Sequence, residues 1–212
     1  MSNIPDPLWL FHITHISNLP NILLQGGLLA NNAISGQYTN IAHQEIQTRR
    51  HSKQIPCGIG GVLHDYVPFY FCRQSPMLYA ISKNRVEGYS GGQAEVLYLA
   101  VKFSDIQQAG LPWVFTDGHA AMDFSEFYTD PTHFDQVDWE LMQAQYWSDT
   151  DDDPDRKRRR QAEFLVHQCV PWACITGIGV YDAAQQSRVE SILDNAPSVH
   201  KPNVKVLRKW YY

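Results

Sequence analysis

QAEFLVHQCV, residues 161–170, sets one carboxylate, Glu163, at the mouth of an apolar run. EFLVHQCV (163–170) reads as a strand, in which Glu163, Leu165 and His167 share one face and Phe164, Val166 and Gln168 the other. Neither face is cleanly polar, so Glu163 borders buried space. A buried carboxylate is costly unless paired, and such groups concentrate at functional sites. Directly upstream, DDDPDRKRRR (151–160) switches from acidic to basic. A solvated linker with internal ion pairs, each worth little, accounts for that switch without any function.

Outward from this strand, the chain alternates short apolar runs with turn signals. LWLFHIT (8–14), VPFYFC (67–72), EVLYLAVKF (95–103), PWVFTD (112–117), ITGIGVY (175–181) and VKVLRKWYY (204–212) are predicted strands. Helices are predicted over 21–25 (closed by Gly26-Gly27), 41–53, 77–83 and 183–196. Ser75 caps the third of these, with Pro76 at its first position. Residues 118–154 show no strong periodicity and read as a mobile stretch. Many strands with interleaved short helices give an α+β fold. No internal repeat or low-complexity linker interrupts the 212 residues, so one domain spanning 1–212 is expected.

Composition narrows the function classes. The chain is 44% hydrophobic and 18% charged, which is globular rather than disordered. Its net charge of -5 argues against non-specific coating of nucleic acid, though not against a local basic groove. Aromatics reach 12% and supply stacking surfaces as well as core. Cys57, Cys72, Cys169 and Cys174 form no CxxC pair, so no structural zinc site is expected. No leader-like N-terminus and no long apolar span are evident, which gives an expectation of a cytoplasmic protein with no membrane association. Neither GxGxxG nor GxxxxGK[ST] occurs, so no Rossmann or P-loop phosphate cradle is expected.

Several side chains stand out singly. His12 lies within a strand; such a histidine is more often packed than functional, and its functional alternative is a ring N–H donor to a ribose hydroxyl. His12 and His15 would face opposite sides of that strand, which rules them out as a metal pair. Arg49 and Arg50 sit in a polar helix, where a solvated surface is the plain interpretation. Tyr70 and Tyr79 flank a strand-to-helix junction, as core residues or as the walls of a slot for a flat ring.

Taken together, FHITHISNLPNILLQGGLLA, IQTRRHS, GGVLHDYVPFYFCRQSPMLYAI, GLPWVFTDGH and QAEFLVHQCVPW resemble the DarT family of DNA ADP-ribosyltransferase toxins, in particular its thymidine-modifying subgroup. The resemblance runs from about residue 8 to the C-terminal KWYY. It implies an ADP-ribosyltransferase fold, with a split mixed β-sheet around an NAD+ cleft and flanking short helices. The family's histidine, tyrosine and glutamate would be His12, Tyr70 and Glu163. The resemblance also places Ile13, Thr14, Asn21, Leu29, Arg50, Met77 and Tyr79 at the NAD+ site. NAD+ is the expected co-substrate, with no metal.

Breaking the nicotinamide–ribose bond leaves a sugar with oxocarbenium character, so a carboxylate beside the ribose stabilises the developing charge. Glu163 is assigned that role, and Arg50 is the second catalytic residue. The family-style label for Arg50 is proton acceptor, but a guanidinium stays protonated. Holding NAD+ phosphates and a thymine oxygen that gains charge is physically easier. Residues 116–160 would form the substrate loop, with Asp117 and His119 reading the base edge. Trp139, Tyr146 or Trp147 would stack on bases, and the block Arg156–Arg160, Arg158 and Arg159 above all, would hold phosphates. A single strand is expected because pairing in a duplex consumes the thymine N–H.

Rival assignments keep the fold but change the acceptor to guanine, RNA or protein, or make the chain a non-catalytic single-strand-binding module. A tRNA 2′-phosphotransferase shares the superfamily but would want a more basic cleft. The resemblance further implies a monomeric toxin, reversed by an antitoxin carrying a hydrolytic macrodomain.

Overall fold

The structure is a computed structural model and describes residues 4–196 and 200–212. In chain order the elements are β1 (Trp9–His15), α1 (Leu19–Leu24), β2 (Gly27–Leu29), α2 (Gln44–Ser52), β3 (Tyr66–Tyr70) and α3 (Pro76–Ser82). Next come β4 (Val96–Lys102), α4 (Phe103–Gln108), β5 (Trp113–His119), β6 (Phe127–Tyr128), α5 (Trp139–Gln143) and α6 (Arg156–Arg159). The chain ends with β7 (Ala162–His167), β8 (Cys169–Pro171), β9 (Gly177–Val180), α7 (Ala183–Asp194) and β10 (Asn203–Val206).

Eight strands form a mixed sheet in the order β10-β9-β4-β1-β3-β7-β5-β6. Among the described residues, only the β10–β9 pair is parallel. β1 matches β4 along its whole length, from Trp9 opposite Lys102 to His15 opposite Val96. Against β3 it registers only through Phe11 and Tyr70. The sheet therefore splays open between β1 and β3, and that split makes room for a cleft. The α+β class and the split mixed sheet expected from the sequence are what the structure has.

One face of the sheet is closed by a large core. Leu10, Val67, Phe69, Leu97, Leu99, Phe164 and Val166 meet Trp139 and Met142 of α5 and Val189 and Leu193 of α7 there. The other face carries two smaller clusters, one around Leu78, Ile81 and Tyr98 and one around Leu63, Tyr66 and Leu165. Glu163 and Leu165 share a face of β7 opposite Phe164 and Val166, so the alternation in QAEFLVHQ does point the carboxylate away from the main core. α3 starts as predicted, with the Ser75 hydroxyl accepting from Leu78 N at 3.2 Å and Pro76 in the first turn.

Several boundaries differ from the sequence expectation. The predicted strand 163–170 breaks at Gln168, whose φ is +60°, and its second half becomes β8, paired with β2. β2 lies in GGLL, which alternation cannot signal in so short a run. The C-terminal strand ends at Val206, and Trp210 and Tyr211 turn back to pack on Tyr98. Residues 118–154 are built of β6, a 3-10 turn and α5, because Phe134, Val137, Trp139 and Met142 are core residues.

Candidate active site

Arg50 and Glu163 form the centre of the cleft. α2 turns about 100° per residue, so neighbours diverge. Arg49 faces solvent and pairs with Glu45 at 2.6 Å. Arg50 points inward, and its Nη1 donates to Glu163 Oε2 at 2.7 Å. The plain solvated interpretation thus holds for Arg49 and fails for Arg50. Arg50 is 7% exposed and Glu163 3%. Oε1 of Glu163 accepts from Ala120 N at 3.0 Å. Burial opposes ionisation of this carboxyl, but Arg50 and His119 outweigh it and hold it well below the ordinary carboxylate range.

His119 ends β5. The Ala121 N–H reaches its Nδ1 at 3.3 Å, which leaves the neutral ring with its proton on Nε2. When the ring is protonated, Nδ1 can instead donate to Glu163 Oε1, also 3.3 Å away. The second terminal nitrogen of Arg50, Nη2, is buried and makes no hydrogen bond. An unpaired guanidinium nitrogen beside a cleft is a ready donor to a phosphate or carbonyl oxygen.

Tyr70 stands opposite Glu163 on β3. Its hydroxyl donates to Met77 Sδ at 3.5 Å, and burial pushes its pKa up, so it acts as a neutral donor. Across the split, His12 Nδ1 donates to Pro68 O at 2.8 Å, since a carbonyl can only accept. Burial lowers the His12 pKa, favouring the neutral ring. The N–H that the sequence offered to a ribose hydroxyl is therefore spent on Pro68, which leaves Nε2 of the neutral ring as an acceptor. Tyr79 is fixed edge-on by Trp147 and Tyr212, with centroids 5.7 and 5.1 Å away.

These groups line one cleft of about 1030 Å³, together with Ile13, Thr14, Asn21, Leu29 and Met77. That is the upper end for a ligand pocket and leaves room for two reactants. Every residue assigned to NAD+ from the sequence borders it. Aromatic walls, a polar ribose contact and the unpaired Arg50 nitrogen fit NAD+ as substrate. Among the described residues, no group of three or more His, Cys, Asp and Glu is placed to hold a metal.

The DNA-side assignments fare differently. Trp139 is buried, with its indole donating to Phe134 O at 2.7 Å, so it packs the core and offers no stacking surface. Trp147 is 9% exposed and donates to the Tyr212 hydroxyl at 3.0 Å, which makes it a wall. Tyr146 is 80% exposed. The basic block is mostly committed to the acidic run before it. Arg159 pairs with Asp153 and with Asp138, and Arg158 with Asp155 and Asp117. Arg160 turns inward to the carbonyls of Leu141, Ala144 and Gln74. Asp117 is held by Arg158 and the Glu126 N–H, and so is not free to read a base edge.

Three contributors escaped the sequence. The Ala120 N–H is backbone and carries no sequence signal. Phe124, 84% exposed at the cleft mouth, and Met122 beside it were signalled only by apolar residues standing in the polar stretch DGHAAMDFSE. Lys157, which the sequence included in the phosphate-holding block 156–160, lines the cleft, and its ammonium has no ion pair among the described residues.

Comparison with known proteins agrees with this geometry. Residues 11–212 match the family described as DarT, ssDNA thymidine ADP-ribosyltransferase. A DNA ADP-ribosyl transferase from Thermus sp. (strain 2.9) is 44% identical over 98% of both chains. The structure of Thermus sp. 2.9 DarT in complex with ADP-ribosylated ssDNA superposes with a TM-score of 0.95, at 43% identity over the whole of both chains. The same protein in complex with NAD+ gives 0.91, at 41% identity over 99% of this chain and all of that one. A DNA ADP-ribosyl transferase-DNA ADP-ribosyl glycohydrolase fusion protein from Thermosipho africanus is 28% identical over 88% of this chain and 46% of its own length. The chain belongs to the DarT family of single-stranded-DNA thymidine ADP-ribosyltransferases.

Proposed function

We propose that this chain transfers ADP-ribose from NAD+ to the ring nitrogen of thymine in single-stranded DNA, in a sequence-selective way and with release of nicotinamide. The observation that carries this reading is the buried Arg50–Glu163 pair beside the cleft, with Arg50 Nη2 left unpartnered. Nicotinamide lies in the slot of Tyr70, Met77 and Tyr79, and His12 Nε2 accepts from a ribose hydroxyl. The Glu163 carboxylate, kept charged by Arg50, stabilises the positive charge that grows on the ribose as the nicotinamide bond breaks. Arg50 Nη2 and the Nε2–H of His119 donate to thymine oxygens that gain charge as the ring N–H is lost. Arg50 acts here as an electrostatic partner, because its guanidinium cannot take up the proton. The ring proton leaves to water at the cleft mouth as the ring nitrogen bonds to the ribose carbon and nicotinamide departs.

On the DNA side, Phe124 and Tyr146 offer exposed rings for bases, and Lys157, a cation with no ion pair among the described residues, is suited to a backbone phosphate. Residues 116–160 serve as the substrate loop of a single domain, in a monomeric toxin of the bacterial cytoplasm. A macrodomain hydrolase that removes the adduct is the natural antitoxin, as the fusion of the two activities in the Thermosipho protein suggests. The test offers labelled NAD+ with thymine-containing single strands, thymine-free single strands, duplex DNA, RNA or protein. Label should enter only the first; label in RNA, protein or thymine-free DNA overturns the reading.

A further inference from the structure

Where β5 runs beside β7, its register slips. Phe115 stands opposite Phe164, yet the next registered residue, His119, stands opposite Ala162. Residues 116–118 therefore bulge out of the ladder. Bulges re-aim the residues after them, and are frequent beside active sites. Immediately beyond this bulge stand His119 and Ala120, the two residues on Glu163 Oε1.

Arg158 fills the bulge. Its Nη1 donates to both carboxylate oxygens of Asp117, at 3.1 and 3.0 Å, and to the Ser125 hydroxyl at 3.2 Å. Nε and Nη2 fork onto the two oxygens of Asp155, each at 2.8 Å. Ser125 in turn donates to the His119 carbonyl at 2.7 Å, closing the turn. Gly118 is the seat: a Cβ there would stand 2.2 Å from Arg158 Nη1. The absent side chain is what lets the guanidinium lie against the strand.

We propose that Arg158 is a positioning residue, clasping the Thr116–Gly118 bulge so that Ala120 N–H and His119 meet Glu163, and serving the chemical step rather than the DNA backbone. This rests on the reading of Glu163 as the group that faces the NAD+ ribose. It also gives the acidic run a purpose: Asp155 supplies the second half of the clasp and neutralises the arginine that a phosphate would otherwise attract. Lys157, on the same turn but with no ion pair among the described residues, is left for that phosphate.

The test sets Arg158→Gln, Arg158→Lys, Gly118→Ala and Lys157→Gln beside the wild type. It measures kcat, KM for a thymine-containing oligonucleotide, and DNA affinity by fluorescence anisotropy across a salt series. Arg158→Gln and Gly118→Ala should each lower kcat by about a hundredfold, the scale of an ångström-sized misplacement. Their DNA affinity and salt slope should stay at wild type. Lysine cannot form the fork and should not restore kcat at position 158. Lys157→Gln should instead weaken DNA binding and reduce the salt slope by about 0.7. The clasp is overturned if Arg158→Gln weakens DNA binding with that same slope change at wild-type kcat, if lysine restores full activity, or if Gly118→Ala turns over normally. Gly118→Ala keeps every charge and decides the question if the glutamine variant does not fold. Absence of transfer by the wild type would sink the proposed function itself, a separate outcome from wild-type transfer with an unaffected variant.

Discussion

Replacing Arg50 by methionine keeps an unbranched, flexible side chain, though a shorter one, and removes the charge from beside Glu163. Their polar atoms are 2.7 Å apart and both side chains are buried. Two unit charges about 4 Å apart attract by about 4 kcal/mol at an effective dielectric constant of about 20. Removing one partner of such a pair costs about 3–5 kcal/mol, because the other is left buried and unpaired. Oε1 keeps its bond from Ala120 N at 3.0 Å, which points to the lower end, about 3 kcal/mol at pH 7.

The pH dependence gives a second check. In the wild type, the folded-state pKa of Glu163 lies below its ordinary value of 4.5. Its contribution to stability is therefore complete above that pH and is lost as pH falls through the depressed folded value. In the variant, burial, the largest influence on this carboxyl, is opposed by His119 without Arg50, and the carboxyl pKa should rise. The folded variant then takes up a proton before the unfolded chain does, and gains stability as pH falls from 7 toward 4.5. Urea unfolding at a series of pH values should show the gap between the two proteins narrowing over that interval. A gap below about 1 kcal/mol at pH 7, the value of an exposed pair, would refute the reasoning. So would a gap that is unchanged or wider at the lower pH.

Glu163→Gln keeps the shape of the site but not its charge, and should lower single-turnover transfer by about a hundredfold to a thousandfold while NAD+ still binds; transfer near the wild-type rate would remove Glu163 from the chemistry. Phe124→Ala should weaken single-strand binding by about 1–3 kcal/mol in anisotropy titrations if a base stacks there, and by nothing measurable if it does not. Trp139→Ala should cost about 3–5 kcal/mol of stability in denaturant unfolding, as a core truncation does. Any surviving folded fraction should bind DNA as the wild type does, whereas a selective loss of DNA affinity would return Trp139 to the substrate face.

Much of this was legible in the chain because periodicity and burial coincide. QAEFLVHQ alternates with both faces apolar, so Glu163 was marked by physics before any family likeness, and SPMLYAI announced its own cap. The three strands bearing His12, Tyr70 and Glu163 are neighbours in the sheet, as the resemblance implied. The features that stayed hidden depend on long-range pairing. Nothing local separates Arg49 from Arg50; only helix phase against β7 buries the second. DDDPDRKRRR is readable both as internal ion pairs and as cations free for phosphates, and only the fold shows Arg158 and Arg159 held by aspartates near and far. Trp139 and Trp147 illustrate the same limit, since an aromatic in a polar stretch can be core, wall or ledge. The bulge after Phe115 leaves no mark in PWVFTDGH beyond its glycine.

The central claim, that this cleft joins ADP-ribose to thymine in single strands, is tested most directly by mass spectrometry of a random single-stranded oligonucleotide pool incubated with the protein and NAD+. The account predicts an ADP-ribose adduct confined to thymine, fragmenting at the base and enriched in one flanking sequence. Adducts on guanine, or a pool left unmodified while NAD+ is consumed, would contradict it.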